Sequence, residues 1–526
     1  MPRLLVPEIN AIVKDWRRVD LRIALCYPNI YRVGMTGLAV QLLYALFNAR
    51  EDVACERFFF PTNSEQILSL ESGQPLKKFD VVAFTLQYEE DYVNVVRMLL
   101  NSGIEPRAEQ RKLEDPLVIA GGPCASENPL PLSDFFDFFF IGEIEPVLGR
   151  LIDCLKGVSR ERIADFVDLP GVYVPSLSVR RVKRVWVEDL DRAPHPVAQI
   201  VPMVDEKSLY MPIFGKSFAL EAVRGCGRRC RFCLIGFTGR PKRERSLKKL
   251  HEIIEEGIKY TPVRKVALIG AGLSDYSKLE EVCEMIISHN LEVSISSLRV
   301  ESITESLANL LVKGGQRTIT IAPEAGTFCL RESVNKRVSD EAIINAARTA
   351  FQAGFRNIKL YFIIGLPRES HEDIEAIADL TKKIADQGFG LKSVRLAVNP
   401  FVPKPHTPFQ WEPYAAIEYL RRCMKLIRRR LAMDYRIEIE GTDPRNSQIQ
   451  ALLSLGNKEV GRAVEIVARL GNGLGAWRRA LNTTKLNLKS YIYQRRSLDA
   501  RLPWDIIDVG LNSRRLIQEF SEAHKS

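Results

Sequence analysis

The feature that most constrains this chain is a series of short, unbroken apolar runs separated by helix-period stretches. The runs at 21–26, 81–86, 117–120 and 138–141 do not alternate apolar with polar residues. A strand apolar on both faces must be covered on both, which is the condition of a parallel sheet flanked by helices. Helical patterns at 37–48, at 92–100 and from about 146 supply that cover. The phenylalanine-rich stretch 135–140 reads as buried strand. We therefore expect a doubly wound α/β domain over 1–160. Ligands of such a sheet sit beyond the strand carboxyl ends, where Pro28, Gly121 and Gly122 fall.

Residues 161–215 carry Pro170, Pro175, Pro194, Pro196, Pro202 and Pro212 and read as a connecting segment with a hairpin. Strand–helix alternation resumes over 216–410. Six strands are expected, at 219–223, 265–269, 292–296, 318–321, 358–363 and 393–398. Six consecutive βα units predict a partial (β/α)6, TIM-like barrel with its function at the strand carboxyl ends. Residues 411–526 are mostly helical in pattern and rich in arginine and lysine.

The chain has 10 cysteines, scattered except for one cluster. The cluster reads Arg224-Gly225-Cys226-Gly227-Arg228-Arg229-Cys230-Arg231-Phe232-Cys233 and directly follows the first barrel strand. Structural zinc wants four closed ligands, and Cys283 and His251 are remote in sequence. An electron-transfer cluster also has four cysteines. Three thiolates on a [4Fe–4S] cluster leave one iron open to a substrate or cofactor. Three unrelated buried cysteines would sit among core residues, not among glycines and arginines.

The Cys-x3-Cys-x-Phe-Cys loop, followed by βα units, resembles the radical S-adenosylmethionine (SAM) superfamily. The resemblance implies that Cys226, Cys230 and Cys233 hold three irons and that SAM chelates the fourth. Reductive cleavage of SAM then yields a radical that abstracts hydrogen from an unactivated carbon. Phe232 belongs to the same loop. The segments 320–326 and 361–367 resemble the fourth and fifth strand ends of that barrel. Glu324 and Arg337 are similar in placement to groups that contact SAM. Ser296, Ser297 and Arg299 stand where ribose or carboxylate is bound, and Gly365 and Pro367 where backbone approaches adenine. Gly270-Ala271-Gly272 departs from the Gly-Gly-Glu that many members use to hold the methionyl amino group by backbone.

The N-terminal domain resembles the cobalamin-binding domains that precede the barrel in one large subclass. The likeness rests on its sheet pattern, on Thr85-Leu86, and on Gly121-Gly122-Pro123, whose glycines let a nucleotide tail pass close to backbone. The subclass's Asp-x-His-x-x-Gly signature is missing, and the first histidine of the chain is His195. Cobalamin is a candidate cofactor on condition that it needs no lower histidine ligand, and methyl transfer is then the expected outcome. Over nearly its whole length the chain is similar to a group of uncharacterised radical SAM proteins. Glu8-Ile9-Asn10, Lys14-Asp15-Trp16, the segment 401–411 and Leu502-Pro503-Trp504-Asp505 support this.

Two other readings compete. Methylthiotransferase-like sulfur insertion would need a second cluster, for which Cys26, Cys55 and Cys124 are the available N-terminal thiols. A non-enzymatic nucleic-acid-binding protein with a structural or redox-sensing cluster would use the basic loop of Arg224, Arg228, Arg229, Arg231, Arg240, Lys242, Arg243 and Arg245. The same charges suit an anionic substrate (nucleic acid, nucleotide or phosphorylated molecule) or an electron donor such as flavodoxin or ferredoxin. The net charge of +10 favours anionic partners generally. His406 and Trp411 lie in a proline-rich loop expected near the substrate mouth. No apolar run is long enough to span a membrane, and the start is not a secretory signal. With cysteines that form no disulfide framework, a cytoplasmic location is expected.

Overall fold

The computed structural model describes residues 6–61, 66–157, 159–177 and 181–525. The N-terminal sheet has six strands: β1 (Leu21–Tyr27), β2 (Val53–Phe59), β3 (Val81–Thr85), β4 (Leu117–Gly121), β5 (Phe138–Phe140) and β6 (Val172–Tyr173). Their order is β2-β1-β3-β4-β5-β6, parallel throughout except for β6. Neighbouring residues of β1 divide between two cores. Ile23 and Leu25 pack with Val40 and Phe47 of α1 (Leu38–Asn48). Ala24 and Cys26 pack with Val93 and Val96 of α2 (Tyr92–Asn101). Helix α3 (Leu148–Leu155) joins α1 on the first face. This two-sided cover is why the strands read as continuous apolar runs.

The second unit starts with a parallel three-stranded sheet: β7 (Phe218–Glu221), β8 (Lys265–Ile269) and β9 (Glu292–Ile295). Four more parallel strands follow: β10 (Thr318–Glu324), β11 (Asn357–Ile364), β12 (Val394–Pro400) and β13 (Ile437–Glu440). A parallel bridge between Leu298 and Ile321 joins the two sheets. Among the described residues no pairing closes β13 onto β7, so the barrel is open. Strand β13 extends it beyond the six strands expected. Helices α4 (Leu247–Tyr260) and α5 (Leu279–Ser288) follow β7 and β8. Ser246, Thr304, Ser339 and Ser370 cap helices of this unit through side-chain oxygens, which sets where each βα turn becomes helix.

Among its described residues the connecting segment forms no hairpin. Val172–Tyr173 completes the edge of the N-terminal sheet. Val182–Lys183 pairs with Ile507–Asp508, and Val201–Pro202 pairs with Glu8–Ile9. The C-terminal region is mostly helical, as expected, and includes α6 (Pro444–Leu455) and α7 (Ser513–Ala523). Among the described residues no helix is long and apolar enough to cross a membrane.

The carboxyl edges of the two parallel units meet. Glu143, after β5, bonds Arg224, after β7, at 3.0 Å. Glu89, after β3, is paired with Lys404, after β12. These two contacts place the N-terminal domain over the mouth of the open barrel.

Candidate metal centre and cofactor cavity

Beyond β7, Val223–Arg224 pairs antiparallel with Arg243–Glu244 and closes the loop that carries all three clustered cysteines. Gly225 turns into it with φ 80°, and a Cβ there would stand 2.0 Å from the Gly239 carbonyl oxygen. Only glycine tolerates both conditions. The Gly270-Ala271-Gly272 loop lies against this turn, since a Cβ on Gly272 would stand 3.7 Å from Cys226 Sγ. Phe232 packs on the apolar cluster of Ala325, Leu366 and Phe401. Arg231 is buried and anchors the loop to Ser333 O at 2.7 Å and to Glu519 and Glu522 of α7 at 3.2 and 3.3 Å.

All three cysteines are free and half-buried. They form no group whose ligand atoms all lie within 4.8 Å of one another. Tetrahedral zinc at about 2.3 Å from sulfur would draw its thiolates to about 3.8 Å. Burial pushes the Cys233 thiol up to about 11, against hydrogen bonds from the Gly236 and Ile235 backbone. Burial also raises Cys230, while Lys336 and Arg299 draw it down. A metal that binds here must therefore displace protons.

Those charges come from side chains grouped beside Cys230. Lys336 Nζ bonds Glu324 Oε1 at 2.8 Å, and both side chains are largely buried. Glu324 sits at the end of β10 with φ 73°. Arg337 was the expected companion of Glu324, but it turns outward to Glu332 with its side chain 69% exposed. One step along the chain reverses the direction of a side chain here, and that is how Lys336 takes its place. Arg299 is half-buried, bonds Glu301 at 2.8 Å and leaves its Nε buried without a partner. Ser296 and Ser297 are exposed just beyond β9. Gly365 has φ 80°, and the place of its Cβ is taken by Leu420 and Ala415, at 2.8 and 2.9 Å. Pro367 is half-buried beside it.

A cavity of about 530 Å³ runs from beneath α1 to the cysteine loop. Leu42, Phe47, Ile23 and Ile119 line its apolar end; Gly225, Gly270 and Ala271 line the other. Gly121 and Gly122 lie on its wall, and Gly122 has φ 103° where a Cβ would meet Leu86 O at 2.7 Å. No histidine, cysteine or methionine lines it among the described residues. His195 is tied elsewhere, its Nε2 accepting from Glu221 N at 3.1 Å. At the polar end Glu143 receives Arg224 and Arg243 at 3.0 and 2.8 Å. Against the cost of burial, these guanidinium groups hold its carboxyl below the ordinary range.

Several sequence expectations dissolve in three dimensions. Cys26 and Cys124 belong to one core and Cys55 to the core on the opposite face, so the three cannot share a second cluster. Most of the basic loop is neutralised internally. Arg224 is held by Glu221, Glu143 and Glu145, Arg228 by Asp275, Lys242 by Glu244, and Arg245 by Glu221 and backbone carbonyls. Among the described residues only Arg229 and Arg240 of that loop have no acidic partner, and Arg240 lies near Arg515. His406 is buried and bonds the Glu127 carbonyl at 3.0 Å, and Trp411 is buried in the core. Both are packed joints, and neither lines the cavity that reaches the cysteine loop. Sequence reasoning missed Lys336, Glu143 and Lys404; the last lies in the quoted 401–411 segment, but its carboxylate partners are distant.

Comparison with known proteins agrees with this geometry. The family described as radical SAM proteins, N-terminal, matches residues 39–175, and the radical SAM superfamily matches residues 220–381. Uncharacterized protein MJ0966 of Methanocaldococcus jannaschii is 35% identical over 449 residues, covering 84% of this chain and 90% of that protein. Uncharacterized methyltransferase PH0819 of Pyrococcus horikoshii is 24% identical over 367 residues, covering 67% of this chain and 74% of that one. Among solved structures, the radical SAM methyltransferase TsrM from Kitasatospora setae, with cobalamin and a [4Fe–4S] cluster bound, has a TM-score of 0.51 at 13% identity. That match covers 89% of this chain and 99% of TsrM. The cobalamin-dependent SAM radical enzyme OxsB with aqua-cobalamin bound has a TM-score of 0.50 at 12% identity, covering 96% of this chain and 79% of OxsB.

Proposed function

This chain belongs to the radical SAM superfamily, and we propose that within it the protein is a cobalamin-dependent enzyme that methylates an unactivated carbon. The observation that carries this reading is the cavity, which joins an apolar slot under α1 to the cysteine loop. The slot suits the nucleotide tail of a corrinoid, and Gly121 and Gly122 allow that tail to pass close to backbone. No histidine lines the cavity among the described residues, so a corrinoid held there would receive no imidazole from these walls. Curated and structural neighbours named as methyltransferases support the same direction.

When bound, the cluster and SAM supply one-electron cleavage and hydrogen abstraction, and cobalamin supplies a methyl carrier. The chain's own share is positional. Cys226, Cys230 and Cys233 hold three irons and leave the fourth open. Glu324, Lys336 and Arg299 put one anion and two cations around Cys230, a set that complements the amino and carboxylate groups of SAM. Backbone at Gly270-Ala271-Gly272 would hold the methionyl amino group, as backbone does in the usual motif. The apolar cavity walls exclude water from the reacting centre. Arg229, Arg240 and Arg515 form the unpaired cationic patch beside the cluster loop, and we assign it to an acidic electron donor such as flavodoxin or ferredoxin.

The test is anaerobic purification with added cobalamin, followed by iron, sulfide and cobalt counts in wild type and Cys230→Ala. Roughly four irons and one cobalt per chain are expected, with the iron lost in the variant. Tightly held zinc without iron would overturn the reading. With SAM and a reductant, 5′-deoxyadenosine is the expected product. S-adenosylhomocysteine alone would remove hydrogen abstraction and keep methyl transfer.

A further inference from the structure

Helix α4 carries His251 and Glu255 four residues apart, so the two side chains leave the same face of the helix on successive turns. Helix α5 packs beside α4 and is followed at once by His289. His251 Nε2 lies 3.9 Å, and His289 Nε2 3.5 Å, from the same oxygen, Glu255 Oε1. One ligand atom from each of the three residues lies within 4.8 Å of the other two. The imidazole rings are 5.9 Å apart and inclined at 51°, so they are not stacked face to face.

A tetrahedral ion with bonds of about 2.0–2.2 Å holds its ligand atoms about 3.4 Å apart. The two histidine–glutamate separations, 3.9 and 3.5 Å, lie within about 0.5 Å of that value, and the two imidazoles, whose ligand atoms are within 4.8 Å, must draw together to reach it.

The surroundings separate this cluster from an ordinary ion pair. Neighbouring lysines on α4 are engaged elsewhere, Lys249 with Glu252 and Lys259 with Glu256. Among the described residues no lysine or arginine forms a salt bridge with Glu255, so its charge faces the two imidazoles. A second group, Glu89, Cys124 and Glu127, meets the same distance criterion. There, however, the Lys404 ammonium contacts Glu89 and lies 3.6 Å from Glu127, so the cation's place is filled. At His251 no side-chain cation fills it. The site is also open to solvent, with side-chain exposures of 53%, 46% and 21%, so water can complete a coordination shell. Two imidazoles and one carboxylate suit zinc and its transition-metal neighbours better than magnesium or calcium.

We propose that His251, Glu255 and His289 form a three-ligand site for a divalent transition-metal ion, zinc foremost, that staples the first two helices of the barrel. The site lies where α5 turns back toward the start of β9, at the end of the barrel opposite the cysteine loop. It is separate from the iron cluster and takes no part in its chemistry. Its role is structural: it ties together the two βα units that carry the cysteine loop and the Gly270-Ala271-Gly272 loop.

The test uses cluster-loaded, SAM-bound protein titrated anaerobically with zinc chloride, with calorimetry and metal counts on the same samples. One zinc per chain beyond the iron is expected, with unchanged iron and a raised melting temperature that a chelator reverses. His251→Ala and His289→Ala should each weaken binding at least about tenfold, and Glu255→Gln should weaken it as well. These three positions are on the surface, so the variants fold. Zinc uptake that is equal in wild type and the histidine variants overturns the proposal. So does uptake that appears only as iron is lost, which would mark capture by the cluster thiols. Neither result bears on the methyl-transfer reading, which rests on the cobalt and iron counts.

Discussion

Strand β3 is buried at every position and β1 at all but Arg22, whereas β10 and β11 alternate buried and part-exposed residues along their length. The N-terminal sheet is covered by helices on both faces, so its ligand space lies under α1 and beyond its carboxyl edge. Strands β10 and β11 are fully covered on one face only. Their other face carries Thr318, Thr320, Lys359 and Tyr361, which are exposed or part-exposed. One sheet thus leaves its open space at the rim, and the other keeps one face of its strands part-exposed. The cavity at that rim reaches the cysteine loop, where the loops after both sets of strands converge.

The sharpest way to break this division is to violate the backbone once on each side. Gly225→Val forces a β-branched residue to φ 80° against the Gly239 carbonyl. The local cost is at least about 3 kcal/mol, and iron uptake should be lost. Gly122→Val makes a similar violation against Leu86 in the other sheet. It should abolish cobalt uptake and leave the iron count intact. If Gly122→Val also loses iron, the two units fold as one.

Next in size is the pair beneath the cluster. Lys336→Met leaves the Glu324 carboxylate buried without its partner, at a cost of about 3 kcal/mol. Denaturant unfolding should show that loss, and SAM affinity should fall at least about tenfold. Arg337→Met removes an exposed side chain and should stay within about 0.5 kcal/mol. Equal effects from the two would refute the placement of Lys336.

The joint between the units responds to acid. Burial holds the His406 imidazole down to about 4, with Glu127 O accepting its N–H. Between that value and the ordinary histidine value of about 6.5, the unfolded chain binds a proton that the folded chain does not. Stability from this group is complete above about 6.5 and is lost toward 4, at up to about 1.4 kcal/mol per pH unit. Melting curves of His406→Gln should therefore be flatter than wild type across that window. The smallest effect is expected for Arg228→Ala. Its pair with Asp275 is partly exposed and contributes under about 1 kcal/mol, so melting temperature should hardly change.

Much of the fold was legible because its signals are local. The apolar runs at β1, β3, β4 and β5 reflect burial on both faces, and each lies within a few residues. Strand β13 is only four residues long; Ile437–Glu440 alternates isoleucine with glutamate, as a half-covered strand does, but its place beside β12 comes from tertiary pairing alone. Strand β6 has only two residues, which is too short for any periodicity.

The sequence alone carried the signature of the radical SAM superfamily. Three cysteines within eight positions, after a strand and among glycines, make that signature whatever packs around it. It also determined that parallel strands carry that loop and that Gly121 and Gly122 end one of them. Tertiary structure decided which charges act there. Arg224 meets Glu143, Arg231 meets Glu519 and Lys404 meets Glu89 across 81, 288 and 315 residues of chain. A stretch that reads as a basic, partner-seeking loop is therefore mostly an internal ion-pair network. The choice of Lys336 over Arg337 was settled in the same way. Adjacent residues look alike in sequence, and only the course of the backbone after β10 turns one toward the cluster and the other into water.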